Sequence, residues 1–106
     1  MLHNPQNDLR TIYSVDNFVA WLETRDPNEK YTYISCNDCL IHRYFTAMGL
    51  SVNRVWARGY MLTSNPKEEL KYPSELNTIA IYGGQTVGGA LEYVKSGKKS
   101  SDWMNF

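Results

Sequence analysis

The stretch Ser35-Cys36-Asn37-Asp38-Cys39-Leu40-Ile41-His42-Arg43-Tyr44-Phe45-Thr46-Ala47-Met48-Gly49 decides how this chain is read. Leu40, Ile41, Tyr44, Phe45 and Met48 recur at helical spacing, which predicts a helix from about Asp38 to Met48 with one apolar face. Asn37 is a ready N-cap, and Gly49 supplies the stop. Cys36 and Cys39 stand astride the predicted helix start. A helix N-terminus carries partial positive charge, which favours thiolate over thiol, so these two residues hold the chain's readiest reactive chemistry.

Working upstream, Lys30-Tyr31-Thr32-Tyr33-Ile34-Ser35 alternates aromatic and β-branched residues and predicts a short strand. Before it, Ser14 caps a predicted helix over 15–24, with Val15, Phe18, Val19 and Leu22 inward and Trp21 half-exposed beside them. That helix ends before Asp26-Pro27-Asn28, because a residue preceding proline is pushed out of the α region. Residues 1–13 read as a polar lead-in.

Downstream, Ser51 to Thr63 carries Val52, Val55, Trp56, Tyr60 and Met61, and predicts one or two strands broken near Gly59 and pairing with 30–35. Ser64 to Glu69 reads as a loop that opens a helical turn. A short helix over 75–81 buries Leu76, Ile79 and Ala80, and Gly83-Gly84-Gln85 forms a turn. Thr86 then caps a last helix over 87–95, whose Gly88 and Gly89 permit close packing. The tail from Gly97 to Phe106 shows no regular pattern. The expected fold is α+β, a single domain of three to four short helices packed on a small antiparallel sheet.

Composition bounds the function. At 106 residues the chain buries enough surface to fold without a metal or disulfide staple. Eleven Lys and Arg balance eleven Asp and Glu, with no long like-charge run, which argues against a polyanion-binding protein. No stretch approaches the roughly 20 apolar residues that span a bilayer. Residues 1–8 lack the positive start and apolar core of a signal peptide. The expected setting is cytoplasmic, with the thiols reduced and no membrane partner.

Cys36-x-x-Cys39 has three chemical readings. Two thiols at a helix start can cycle as a redox dithiol. Cys36, Cys39 and His42 offer three metal ligands where structural zinc takes four, and the other histidine is His3 in the lead-in. The third reading is a nucleophilic thiol. Asp38-Cys39-Leu40-Ile41, followed by an apolar helix and Gly49, resembles the cysteine-bearing helix of NlpC/P60-type peptidases. That resemblance implies a histidine base from a later strand, and this sequence has no histidine beyond His42. Packing is the simpler account: Cys39 acts as a small hydrophobe under the helix and Cys36 ends the strand. It assigns no catalytic residue, no cofactor and no metal.

Arg54-Val55-Trp56-Ala57-Arg58-Gly59-Tyr60 is the second feature. Strand alternation places Arg54, Trp56 and Arg58 on one face, with Val55 and Ala57 on the other. Tryptophan and arginine are enriched at interface hot spots and can also stack nucleic-acid bases. Arg54, Trp56, Arg58 and Tyr60, with Trp103 and Phe106 of the tail, are therefore the interaction candidates. Gly83 to Gly89 sits before a helix as phosphate-cradling loops do, but matches neither the P-loop nor the dinucleotide fingerprint.

Phe18-Val19-x-Trp21-Leu22, Tyr31-x-Tyr33, Cys39-Leu40 with Tyr44-Phe45, Pro73-x-x-Leu76 and Thr86-Val87-Gly88-x-Ala90-Leu91 together resemble small proteins of tailed phages and mobile elements. The resemblance implies a non-enzymatic protein-binding module in the host-cell cytoplasm. Its partner would be a host or phage protein, and it would act as an inhibitor of a host defence system in the anti-CRISPR manner. The alternative is a thiol- or zinc-dependent activity centred on Cys36, Cys39 and His42.

Overall fold

Ser14 is extended, at φ −72° and ψ 132°, and its hydroxyl accepts the Asn17 backbone N–H, so it caps helix α2 (Val15–Glu23). The computed structural model describes residues 9–33, 35, 38–57 and 59–101. A four-residue helix, α1 (Leu9–Ile12), precedes α2 where the sequence suggested only lead-in, and its Ile12 is buried. Phe18, Trp21 and Leu22 of α2 all face the core. Trp21 is not half-exposed: it stacks on Phe18, and Arg25 covers its ring.

Helix α3 (Leu40–Ala47) buries Leu40, Ile41, Tyr44 and Phe45, the face the periodicity predicted. It starts later than expected, with Cys39 rather than Asn37 at the cap position. Asn37 itself lies outside the described residues. Gly49, at φ 94°, takes the left-handed turn that ends the helix.

Three strands follow: β1 (Val52–Val55), β2 (Gly59–Leu62) and β3 (Asn65–Lys71). They form an antiparallel meander in the order β1-β2-β3, with Val55 opposite Tyr60 and Tyr60 opposite Leu70. Two sequence expectations fail here. Residues 65–71 are a strand, not a loop leading to a helical turn. The reason is that β3 is an edge with little apolar demand: Leu70 alone is half-buried and the rest are exposed, so no alternation marks it. Pro66 is tolerated because an edge strand has one unpaired side.

The second failure is the strand over 30–35, which does not join the sheet. Among its described residues only Lys30 makes a ladder contact, a single bridge to Thr86. The alternation is nevertheless real. Tyr31 turns inward and donates its hydroxyl to the Ala80 carbonyl, Thr32 is exposed, and Tyr33 donates to Asn77 at 2.9 Å. An extended segment crossing helix ends satisfies a two-residue period as well as a strand does.

Helices α4 (Ser74–Tyr82) and α5 (Val87–Ser96) close the fold. Their approach is set by glycine: a Cβ on Gly89 would lie 2.1 Å from the Gly83 carbonyl oxygen, and one on Gly83 would lie 2.6 Å from the Ala90 backbone. The described residues thus form an α+β fold with five short helices, one more than expected, and a three-stranded antiparallel sheet. The core is rich in tyrosine, whose rings fill space while the hydroxyls pin the backbone. Tyr44 donates to the Ile12 carbonyl at 2.6 Å, and Phe45 contacts both Tyr60 and Tyr72. Burial raises the pKa of Tyr31, Tyr60 and Tyr72 well above the ordinary phenol value, which keeps these hydroxyls protonated.

Candidate functional site

Strand β1 ends at Val55 and β2 begins at Gly59, so Trp56 stands at the start of a tight turn. Both its backbone groups are fixed. Its N–H donates to the Gly59 carbonyl at 2.7 Å, and its own carbonyl accepts the Tyr72 hydroxyl at 2.6 Å. The Arg54 guanidinium lies over the indole, 5.6 Å from the ring centre. Trp56 is half-buried, Arg54 and Ala57 are exposed, and Val55 is buried. Arg54 and Trp56 therefore meet as the sequence predicted, whereas Val55 and Ala57 do not share the opposite face.

Two clefts adjoin Trp56. The first, about 210 Å³, is lined by Tyr33, Cys39, Ile41, Trp56, Tyr72 and Asn77 among others. Its polar groups are largely engaged with each other: Tyr33 with the Asn77 carboxamide oxygen, and Tyr72 with the Trp56 carbonyl. What remains is an apolar, aromatic-walled hollow with Trp56 on its rim. The second cleft lies on the open face of the sheet, among Trp56, Ala57, Met61 and Glu69.

Tyr60, an interaction candidate in the sequence, is fully buried, packed against Phe45 with its hydroxyl 2.8 Å from that of Tyr13. It is a core residue. The register explains this: Tyr60 pairs with Val55, and both point to the helix side of the sheet. Arg58, Trp103 and Phe106 lie outside the described residues.

Cys39 lines the first cleft, buried, and its sulfur accepts the His42 backbone N–H at 3.4 Å. The link to His42 is thus through the peptide group, as a helix cap. Cys36 and His3 lie outside the described residues, and no cluster of three or more potential metal ligands occurs among the described ones. Next to Cys39 in the chain, Asp38 is bound by Arg43, which also binds Glu29 and keeps the Asp38 carboxyl below the usual carboxylate range.

The glycine-rich turn before α5 offers a phosphate no free N–H group of the helix's first turn. The helix N–H groups are already used: Val87 donates to Glu29, Gly88 to Pro27 at 2.8 Å, Gly89 to the Thr86 hydroxyl and Ala90 to the Thr86 carbonyl. An anion there would have to displace protein carbonyls. No helix among the described residues is long and apolar enough to cross a membrane.

Comparison of the chain with protein-family models, curated proteins and solved structures gives no match.

Proposed function

We propose that this chain is a non-enzymatic protein-binding module that uses Trp56 and the cleft beside it as its anchor point. One observation carries the reading: a half-buried tryptophan, fixed through both backbone groups, lines an aromatic hollow. Preorganised aromatic groups of this kind are where interface energy concentrates, since little side-chain freedom is lost on contact. The hollow is smaller than the about 300–1,000 Å³ of small-molecule sites, and suits one inserted side chain of a partner.

A protein partner fits better than nucleic acid, because the exposed Glu69 shares the second cleft with Trp56 and would repel a phosphate backbone. The resemblance of the packing residues to small phage proteins makes that partner a host or phage protein. It gives the module the role of an inhibitor of host defence, in the anti-CRISPR manner and in the host-cell cytoplasm.

The test is affinity capture from host lysate with wild type, Trp56→Ala and Arg54→Glu, each checked for native circular dichroism. Proteins held by wild type and Arg54→Glu but lost with folded Trp56→Ala support the reading. Equal capture by folded Trp56→Ala overturns it.

A further inference from the structure

The outer edge of β3 carries backbone groups that the sheet does not use, and the ladder shows which residues own them. The Trp56 N–H donates to the Gly59 carbonyl, so Gly59 turns its carbonyl toward β1. Gly59 lies opposite Lys71 in the β2–β3 ladder. Opposite residues of an antiparallel pair either both face each other or both face away. The N–H and C=O of Lys71 therefore point out of the sheet edge, those of Leu70 point to Tyr60, and those of Glu69 point out again. Among the described residues no backbone group outside the sheet bonds to Glu69 or Lys71, and no ion pair engages either side chain. Both are exposed, with their side chains on the open face, while Leu70 is half-buried on the helix side with Tyr60.

We propose that this edge pairs, antiparallel, with the same edge of a second copy of the chain, about a two-fold axis at Leu70. Registers that bring outward-facing groups together differ by two residues. Glu69 opposite the partner's Glu69, or Lys71 opposite the partner's Lys71, sets like charges against each other. In the register between these, Leu70 lies opposite the partner's Leu70, Glu69 faces the partner's Lys71 and Lys71 faces the partner's Glu69. Both charge pairs are then favourable, each pair exchanges its two N–H···O bonds, and each contact occurs twice, as a two-fold interface requires. The two Leu70 side chains meet on the helix side and extend the buried face. The Glu69 side chain lies across Gly59, where a Cβ would stand 2.9 Å from its carboxylate oxygen. It is exposed and meets no cation there, so turning to the partner's Lys71 gives up no ion pair. Pro66 has no N–H to offer and confines the pairing to the C-terminal half of β3. So short a contact falls below the about 800 Å² per partner of a standard interface, and the dimer dissociates on dilution. This inference rests on the sheet edge, not on Trp56, and goes beyond the function proposed above.

Sedimentation velocity from about 10 μM to about 1 mM reads the association, and amide hydrogen exchange at both ends of that range locates it. Wild type shifts from monomer toward dimer with rising concentration. The Glu69 and Lys71 N–H groups gain protection as it does, while that of Leu70, inside the ladder, is protected throughout. Glu69→Lys and Lys71→Glu each set like charges opposite one another at both pairs and weaken dimerisation about tenfold or more. The double variant Glu69→Lys/Lys71→Glu reverses both pairs and restores the dimer. Lys71→Pro deletes an edge N–H but no β2–β3 bond, so it weakens the dimer while native circular dichroism is kept. A monomer at every concentration, protection that does not rise at Glu69 and Lys71, or a folded double variant no better than the single ones overturns the proposal. Each of these outcomes is compatible with Trp56-dependent capture of another protein, so the two readings fail independently.

Discussion

The α4–α5 end of the molecule and the β1–β2 hairpin end use similar residue types for opposite purposes. At the helical end the start of α5 is closed. Pro27 and Glu29 carbonyls occupy the first N–H groups of α5, Gly89 and Gly83 let the two helices touch, and the Tyr31 hydroxyl ties residues 27–31 to α4. At the hairpin end the same economy of contacts stops short. The backbone of Trp56 is pinned as firmly, but its indole, covered by the Arg54 guanidinium, is only half-buried and borders two clefts. A glycine-rich helix start that suggests a ligand site is structural here. An aromatic turn that could have been core is the surface with unused chemistry.

The sharpest way to break the closed end is Gly89→Ala. Its Cβ would meet a backbone oxygen that cannot move without separating α4 from α5, so a loss of about 3 kcal/mol is expected in urea unfolding. Gly97→Ala is the control: Gly97 has φ 74° but open space around it, and only the backbone cost of about 1 kcal/mol applies. Equal effects from the two would mean that the helices are not in glycine contact.

A smaller effect separates cap from chemistry at Cys39. If the thiol serves as the α3 cap, Cys39→Ala costs about 1 kcal/mol, while Cys39→Ser keeps an acceptor for the His42 N–H and stays within about 0.5 kcal/mol of wild type. A serine variant as destabilised as the alanine variant would show that the cap contact contributes nothing and that burial of the sulfur alone matters.

Much of the fold is legible in the sequence, because helices announce themselves through period and caps. Ser14, Thr86, the apolar face of 40–48 and the turn at 83–85 each follow from one local rule. What the sequence hides is pairing. Lys30 to Tyr33 has the alternation of a strand, yet its partners are helix ends. Residues 65–71 have no alternation at all, yet β2 supplies their partner. At the candidate site, Arg54 beside Trp56 was readable from strand spacing. The inward turn of Tyr60 was not, since it depends on where β1 ends and on Phe45 arriving from another element. The cleft against Tyr33, Cys39 and Tyr72 is likewise assembled from segments distant in sequence and leaves no local signal.

Two aromatics four residues apart therefore carry the central claim: Tyr60 belongs to the core and Trp56 to the surface. Urea unfolding of Tyr60→Ala and Trp56→Ala, side by side, tests this most directly. Tyr60→Ala is expected to cost about 4 kcal/mol, as for a large core aromatic, and Trp56→Ala about 1 kcal/mol. A Trp56→Ala loss as large as that of Tyr60→Ala would place Trp56 in the core and remove the binding surface on which the account depends.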